Sequence, residues 1–190
     1  MSDLHLDFAD LTLPGGDVLI LSGDLCEAKS IKKQNYNPDM VLLEHERQDR
    51  RPDRYYRFLE EECSKKYREV IYVFGNHEAY GSTYHKTFEH VRSQLPDNIH
   101  LLEKETHEID GVLFLGATLW TSCNKADPMT MMVLKNGMND YRAITHMKNG
   151  IYRKLIPMDT MEAHMQTKEF FSNEIEKHPD KQVVVCTHHA

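Results

Sequence analysis

The sequence has few of the features on which secreted and membrane proteins depend. Its four cysteines lie far apart and form no Cys-x-x-Cys pair, which favours a reducing compartment over a disulfide framework. No stretch approaches the ~20 apolar residues of a membrane-spanning helix. The N-terminus reads Met-Ser-Asp-Leu-His and lacks the basic and apolar regions of a secretory signal. These absences predict a cytoplasmic protein with no membrane partner.

The sequence is also short of positive charge. It has 23 Lys and Arg against 30 Asp and Glu, a net charge of -7 at pH 7. Binding to a nucleic-acid backbone needs a basic surface, so this balance disfavours nucleic acid as a partner. It stays compatible with a small phosphate substrate, because bound divalent cations can reverse the local charge. The length of 190 residues fits a single domain.

Continuous apolar segments, rich in β-branched residues, predict buried strands over 17–22, 70–74, 112–118 and 183–186. Strands without polar alternation are typical of sheets that helices cover. Helices are predicted between them, over 40–66 with a break at Pro52, over 83–95 and over 161–177. This alternation of strands and helices predicts an α/β fold.

Two irregular segments, 34–57 and 123–157, resemble inserts in this domain. The first contains a cluster of arginines with tyrosines, which indicates either a contact with phosphate or nucleic acid or a solvated helix face with ion pairs to Glu44, Asp49 and Glu60. The second is rich in methionine and is interpreted either as a loop over the active site or as core filling by flexible side chains.

Metal-binding residue types are concentrated in four short strings at the ends of the apolar segments. The strings contain Asp3 and His5; Asp24 and Glu27; Asn76, His77 and Glu78; and His188 and His189. Ligands of α/β sheets bind beyond the carboxyl ends of the strands, so we expect these side chains to meet. A mixed shell of nitrogen and oxygen suits manganese, iron, zinc or cobalt better than calcium. The other eight histidines are expected to have surface or capping roles.

The strings also suggest a mechanism. Two cations about 3.5–4 Å apart can hold a bridging hydroxide and clamp phosphoryl oxygens during attack on phosphorus. His77 is then the candidate for protonating the leaving group or stabilising the transition state. A carboxylate would hold His77 protonated and oriented, and Glu27 and Glu78 are both available. His189 is expected either to touch substrate or to be a mere neighbour of the ligand His188.

In order and composition, these strings resemble the calcineurin-like metallophosphoesterase superfamily, in its bacterial and phage-type branch. Its pattern is D-x-H, G-D, G-N-H-[DE], a His, and G-H-x-H. The resemblance implies a two-sheet β-sandwich flanked by helices, with four layers in the order α/β/β/α. It also implies two divalent metal ions, with manganese expected and iron, zinc, nickel or cobalt as alternatives. The implied ligands are Asp3, His5 and Asp24 for one metal and Asp24, Asn76 and His188 for the other, with His77 as the catalytic histidine and Glu27 as the acid paired with it.

The sequence departs from the family pattern at both ends. The G-H-x-H string is absent, and only two residues precede Asp3 where the family has a buried strand. We therefore expect a partial domain, a piece of a longer protein that is poorly stable and weakly active by itself; a degenerate family member is the alternative. Ala28 lies where the serine/threonine protein phosphatases carry a phosphate-gripping Arg, which disfavours that branch.

The predicted function is hydrolysis of phosphomonoesters or phosphodiesters by a dinuclear metal centre. The expected substrate is a small phosphoester or a nucleotide. One alternative is a nuclease, to which the arginine cluster within 47–57 would contribute. Another is a scaffold that has kept the fold and binds a protein partner without catalysis.

Overall fold

The computed structural model describes residues 1–31 and 54–189. The strands in these ranges are β1 Gly16–Ser22, β2 Tyr67–Val73, β3 Ile99–Leu101, β4 Glu105–Ile109, β5 Val112–Ala117, β6 Thr145–Lys148, β7 Ile151–Lys154 and β8 Gln182–Thr187. The helices are α1 Ala28–Ile31, α2 Arg54–Arg57, α3 Tyr84–Arg92, α4 Pro128–Gly137, α5 Asp140–Ala143 and α6 Pro157–Lys177. A π-helical segment, Phe58–Ser64, continues α2, and a 3-10 turn, His77–Ala79, follows β2.

The strands form two three-stranded sheets and a hairpin. The first sheet has the order β1-β2-β3 and is parallel throughout. The second has the order β4-β5-β8, with β4 antiparallel and β8 parallel to β5. Strands β6 and β7 pair with each other as an antiparallel hairpin.

The two sheets pack face to face, and helices cover their outer faces. Ile71 and Val73 of β2 share a buried cluster with Phe114 of β5. On the other side of β2, Tyr72 lies in a cluster that includes Phe88 of α3. On the outer face of the second sheet, Leu115 of β5 packs in a cluster with Phe171 of α6. The predicted α/β sandwich with four layers is confirmed.

Local sequence signals explain where several helices begin. The Asp127 carboxylate accepts a hydrogen bond from the Thr130 N–H (2.7 Å) at the start of α4, and Pro128 occupies the first helical position. At the start of α6, Asp159 accepts from the Ile156 N–H at 3.0 Å, and Pro157 occupies the equivalent position. Proline suits this position because its missing N–H would have no intrahelical partner. Pro157 therefore explains why α6 begins four residues before its predicted start at residue 161.

The four predicted strands and the helices over 83–95 and 161–177 are confirmed, with small shifts of their ends. Of the predicted helix over 40–66, the part within the described residues is helical from Arg54 to Ser64. Residues 34–53 of the first insert-like segment lie outside the described residues. Within the described ranges, none of the helices has both the length and the hydrophobicity that crossing a bilayer requires.

Four residues of the two insert-like segments differ from one of the interpretations given for each segment. Arg54 and Arg57 contact Asp10, with N–O distances of 3.2 and 2.8 Å, and Arg54 is buried rather than solvated. Asp10 is far away in sequence, which is why local patterns did not identify it. In the second segment, Met129 and Met132 of α4 are exposed, so core filling is wrong for these two methionines.

Candidate metal centre

The candidate centre lies where strands of both sheets end. Strands β1 and β2 are adjacent and parallel, so the loops after Ser22 and Val73 leave the first sheet at the same edge. Residues 1–6 run beside the loop after β1: the Asp3 N–H donates to the Gly23 carbonyl and the His5 N–H to the Asp24 carbonyl, both at 3.0 Å. This pairing brings Asp3 and His5 to the edge where Asp24 lies.

Two glycines allow the loops after β1 and β2 to touch. A Cβ atom on Gly75 would lie 2.0 Å from the Oδ1 atom of Asp24, and one on Gly23 would lie 2.3 Å from the Gly75 nitrogen. Gly23 also has a φ of +82°, a conformation that other residues rarely adopt. The position of the Asp24 carboxylate therefore requires glycine on both loops.

A buried carboxylate joins the same two loops. Glu78 is fully buried, and its Oε2 atom accepts hydrogen bonds from the Asp24 N–H (3.1 Å) and the Gly75 N–H (2.9 Å). Its Oε1 atom accepts from the Leu25 N–H (2.8 Å) and the Tyr72 hydroxyl (3.0 Å). Burial, with the nearby negative charge of Asp24, raises the pKa of Glu78 to about 7. Because both oxygens accept hydrogen bonds from these groups, the Glu78 carboxylate stabilises the two loops and does not pair with the imidazole of His77.

Hydrogen bonds determine which atoms of His188 and Asn76 face the centre. The Nδ1 atom of His188 lies 2.7 Å from the Ser22 carbonyl, which can only accept, so Nδ1 carries the proton. The Nδ2 group of Asn76 donates to the Tyr80 hydroxyl (3.4 Å), which donates to Asp140 (3.3 Å). These contacts leave the Nε2 atom of His188 and the Oδ1 atom of Asn76 as acceptors.

Three acceptor atoms converge as a result. His188 Nε2 lies 3.2 Å from Asn76 Oδ1 and 3.5 Å from Asp24 Oδ1. Lone pairs that face one another at such distances repel unless a proton or a metal cation lies among them. The chemistry of these donors therefore fits a divalent metal with a nitrogen and oxygen shell.

Two groups of ligand atoms share Asp24. In each group, one ligand atom from every residue lies within 4.8 Å of the others: Asp3, Asp24 and His188 in one, and His5, Asp24 and His77 in the other. Asp24 is 4% exposed, so its carboxylate is screened little by solvent. The family resemblance implies one ligand set with Asp3, His5 and Asp24; in the structure, Asp3 lies in the group with His188, and His5 lies in the group with His77. The predicted metal ligands thus meet at one edge of the fold, around Asp24.

The backbone and ring contacts of His77 hold it beside this cluster. Its N–H donates to Asp24 Oδ1 (2.9 Å), and its Nε2 atom lies 3.8 Å from Asp24 Oδ2. Its ring stacks on Tyr80 with a centroid distance of 4.2 Å and lies 4.7 Å from the ring of His5. Because 29% of its side chain is exposed, His77 is accessible to a molecule from solvent.

Glu27 and His189 are the two remaining predicted site residues. The Glu27 N–H donates to Asp7 (3.1 Å), and among the described residues Glu27 belongs to neither group of ligand atoms. The ring of His189 stacks on Trp120 at 5.3 Å, and both its N–H and its Nδ1 atom lie near the Thr118 carbonyl. Burial lowers the pKa of His189. These contacts hold the His189 ring next to His188 on the side of Trp120.

Tyr80 and Asp140 are site residues that sequence reasoning missed. Tyr80 lies four residues after Asn76, a spacing that could have indicated a contact. Asp140 lies in the segment 123–157, and 60 residues separate it from Tyr80. No local pattern indicates a pairing over such a distance.

Comparisons with known proteins agree with this geometry. Residues 1–190 match the family model of the calcineurin-like phosphoesterases. An uncharacterized protein of Acanthamoeba polyphaga mimivirus is 28% identical over 131 residues, which are 65% of this chain and 45% of the relative. The chain thus spans less than half the length of the curated relative it matches. No solved structure gave a significant match.

Proposed function

The chain belongs to the calcineurin-like phosphoesterase family, and from this premise we propose that it hydrolyses phosphomonoesters or phosphodiesters with two divalent cations. One observation carries the proposal: a single buried carboxylate, that of Asp24, belongs to both groups of ligand atoms. A carboxylate has two oxygens and can bind one cation with each. Manganese is the expected metal, with iron, zinc, nickel or cobalt as alternatives.

The residues that would hold the cations are those around Asp24. Asp3, Asn76 and His188 would contribute to one position and His5 to the other, with Asp24 shared. When bound, such cations polarise phosphoryl oxygens and activate water as a nucleophile. The chain itself orients the acceptor atoms, since the Ser22 carbonyl accepts a hydrogen bond from Nδ1 of His188 and the Tyr80 hydroxyl accepts one from the amide of Asn76.

His77 would move the proton that the departing oxygen requires. Its ring is fixed against Tyr80 and is partly exposed, as proton transfer to a bound substrate demands. Its Nε2 atom is close enough to Asp24 for an ion pair when His77 is protonated. From the family resemblance, we also propose that Glu27 is the acid that pairs with His77.

We propose a small phosphoester or a nucleotide as the substrate. The net charge of -7 disfavours a long nucleic acid, and the described arginines of the basic cluster are engaged by Asp10. A scaffold without catalysis is disfavoured because the candidate catalytic histidine, His77, is present. The four free, buried cysteines support a cytoplasmic location, where thiols stay reduced.

Hydrolysis of bis(p-nitrophenyl) phosphate and p-nitrophenyl phosphate, measured with added manganese, tests the proposal. We expect turnover that a chelator abolishes. His77→Ala should lower the rate about 10²–10⁴-fold while the bound metal is retained. The matched control is His85→Ala, because the His85 side chain is 73% exposed on α3. An unchanged rate in His77→Ala would contradict the catalytic role, and loss of one metal equivalent would make His77 a ligand instead.

A further inference from the structure

A second cluster of metal-binding residue types lies outside the candidate centre. Glu69 of β2, His100 of β3 and His107 of β4 each offer a ligand atom within 4.8 Å of the other two. The Nε2 atom of His100 lies 2.7 Å from a Glu69 carboxylate oxygen. The rings of His100 and His107 stack with a centroid distance of 3.5 Å and an angle of 17°. Two imidazoles and a carboxylate thus lie close together, with His100 in contact with both of the others.

The cluster occupies positions that normally carry apolar side chains. His100 is paired with Ile71 across β2 and β3, and His107 is paired with Phe114 across β4 and β5. Ile71 and Phe114 both belong to the core between the sheets, and paired residues point to the same face. Glu69 precedes Ile71 by two residues and shares its face. Three polar side chains therefore face the layer between the two sheets, at its rim.

The cluster is separate from the candidate metal centre. Glu69 lies near the amino end of β2, and Asn76 follows the carboxyl end of that strand. The four residue steps from Glu69 to the end of β2 at Val73 alone span about 13 Å at the usual rise of a strand. Cations held around Asp24 therefore cannot contact Glu69.

The charge and access of the cluster suit a cation. Burial and the adjacent His100 lower the pKa of His107. A cleft of about 320 Å³ reaches both histidines from solvent. Arg92 lines this cleft, but its guanidinium is bound to the Glu105 carboxylate and the Leu101 carbonyl.

We propose that Glu69, His100 and His107 form a binding site for a transition-metal ion of the Zn²⁺ class that joins the rims of the two sheets. Two histidines and a glutamate are a set of ligands that zinc accepts, with water in the fourth position. A ligating imidazole places the ion in the plane of its ring. The stacked rings must therefore turn apart on binding, and the partly exposed side chains leave room for that rotation.

Metal content and thermal unfolding test this site on the full chain. Zinc per chain is counted by mass spectrometry after equilibrium dialysis, for the wild type, His107→Ala and the exposed control His85→Ala. We expect His107→Ala to bind one equivalent less than the other two. Glu69→Gln keeps the size of the side chain but removes its charge, and it should weaken this zinc site about tenfold or more even if His107→Ala folds poorly.

A second readout separates the two metal sites. With manganese saturating the centre around Asp24, added zinc should raise the melting temperature of the wild type and of His85→Ala but not of His107→Ala. Equal zinc content in wild type and His107→Ala, or an equal zinc-dependent shift in both, would overturn the proposal.

Discussion

Replacing Glu78 should destabilise the loops that carry Asp24 and Asn76. In Glu78→Gln, one oxygen becomes an NH₂ group, which cannot accept a hydrogen bond. If the NH₂ group replaces Oε1, the Tyr72 hydroxyl can turn to accept from it, because that hydroxyl also lies 3.0 Å from the Tyr55 hydroxyl. The Leu25 N–H is then left buried without an acceptor. One such group costs about 1–3 kcal/mol.

Glu78→Ala should cost more than Glu78→Gln. It leaves the N–H groups of Asp24, Leu25 and Gly75 without their acceptor, which costs at least about 3 kcal/mol even when water enters part of the space. Domains of this size are stable by only about 5–15 kcal/mol. A change of 1 kcal/mol shifts the melting temperature by about 2–4 °C for 150–250 residues. We therefore expect a decrease of about 2–12 °C for Glu78→Gln and a larger one for Glu78→Ala.

Thermal unfolding followed by circular dichroism measures these shifts. The matched control is Glu89→Gln on α3, the same chemical change at a side chain that is 56% exposed and lies 4.0 Å from His85. Exposed ion pairs contribute little, so this control should stay within about 0.5 kcal/mol of the wild type. If Glu78→Gln melted at the temperature of Glu89→Gln, the four hydrogen bonds of Glu78 would not stabilise the loops and the reasoning would be refuted.

Two further substitutions test how the centre is positioned. Gly75→Ala places a methyl group 2.0 Å from the present position of Asp24 Oδ1, so it should displace that carboxylate. We expect lower manganese affinity in calorimetric titration and a loss of about 1–3 kcal/mol in the free energy of unfolding. Gly137→Ala, whose added Cβ atom meets nothing within 4 Å, is the control and should bind manganese as the wild type does; equal affinity in both variants would refute the close approach of the loops. Tyr80→Phe keeps the stack on His77 but removes the hydroxyl that accepts from Asn76 and donates to Asp140, so manganese affinity should fall about 10–100-fold. An unchanged affinity in Tyr80→Phe would mean that Asn76 does not need this hydroxyl to orient its amide.

Much of the fold could be predicted from the sequence because its central strands are continuous apolar segments. β2 and β5 carry mostly buried side chains, and such strands leave a clear local signal; β8 gives the same signal although its Val185 is exposed. β3 has three residues and β4 begins with four consecutive polar residues, so neither resembles a buried strand. Their positions depend on pairing with β2 and β5, which is information that a local pattern lacks.

The orientation of neighbouring side chains explains why Glu78 does not pair with His77. The two residues are consecutive, and the sequence offers Glu78 as one of two carboxylates that could hold the His77 imidazole. They lie in a 3-10 turn, in which successive side chains differ by about 120° around the axis. His77 therefore points toward Asp24 and the candidate metal centre while Glu78 points into the core. The 3-10 turn sets the direction of each side chain, and the Asn-His-Glu motif alone does not indicate that such a turn forms.

The electrostatics of the centre couple metal binding to the order of its loops. Asp24 is 4% exposed and Glu78 is fully buried, so two carboxylates lie close together where solvent screens little. The N–H groups around Glu78 compensate its charge, but Asp24 faces further acceptors on His188 and Asn76. A cation among these acceptors would turn repulsion into attraction, and binding energy would then contribute to folding. The close approach of these acceptor atoms raises the free energy of the loops when no metal is bound. The same atoms would be the ligands of a bound metal.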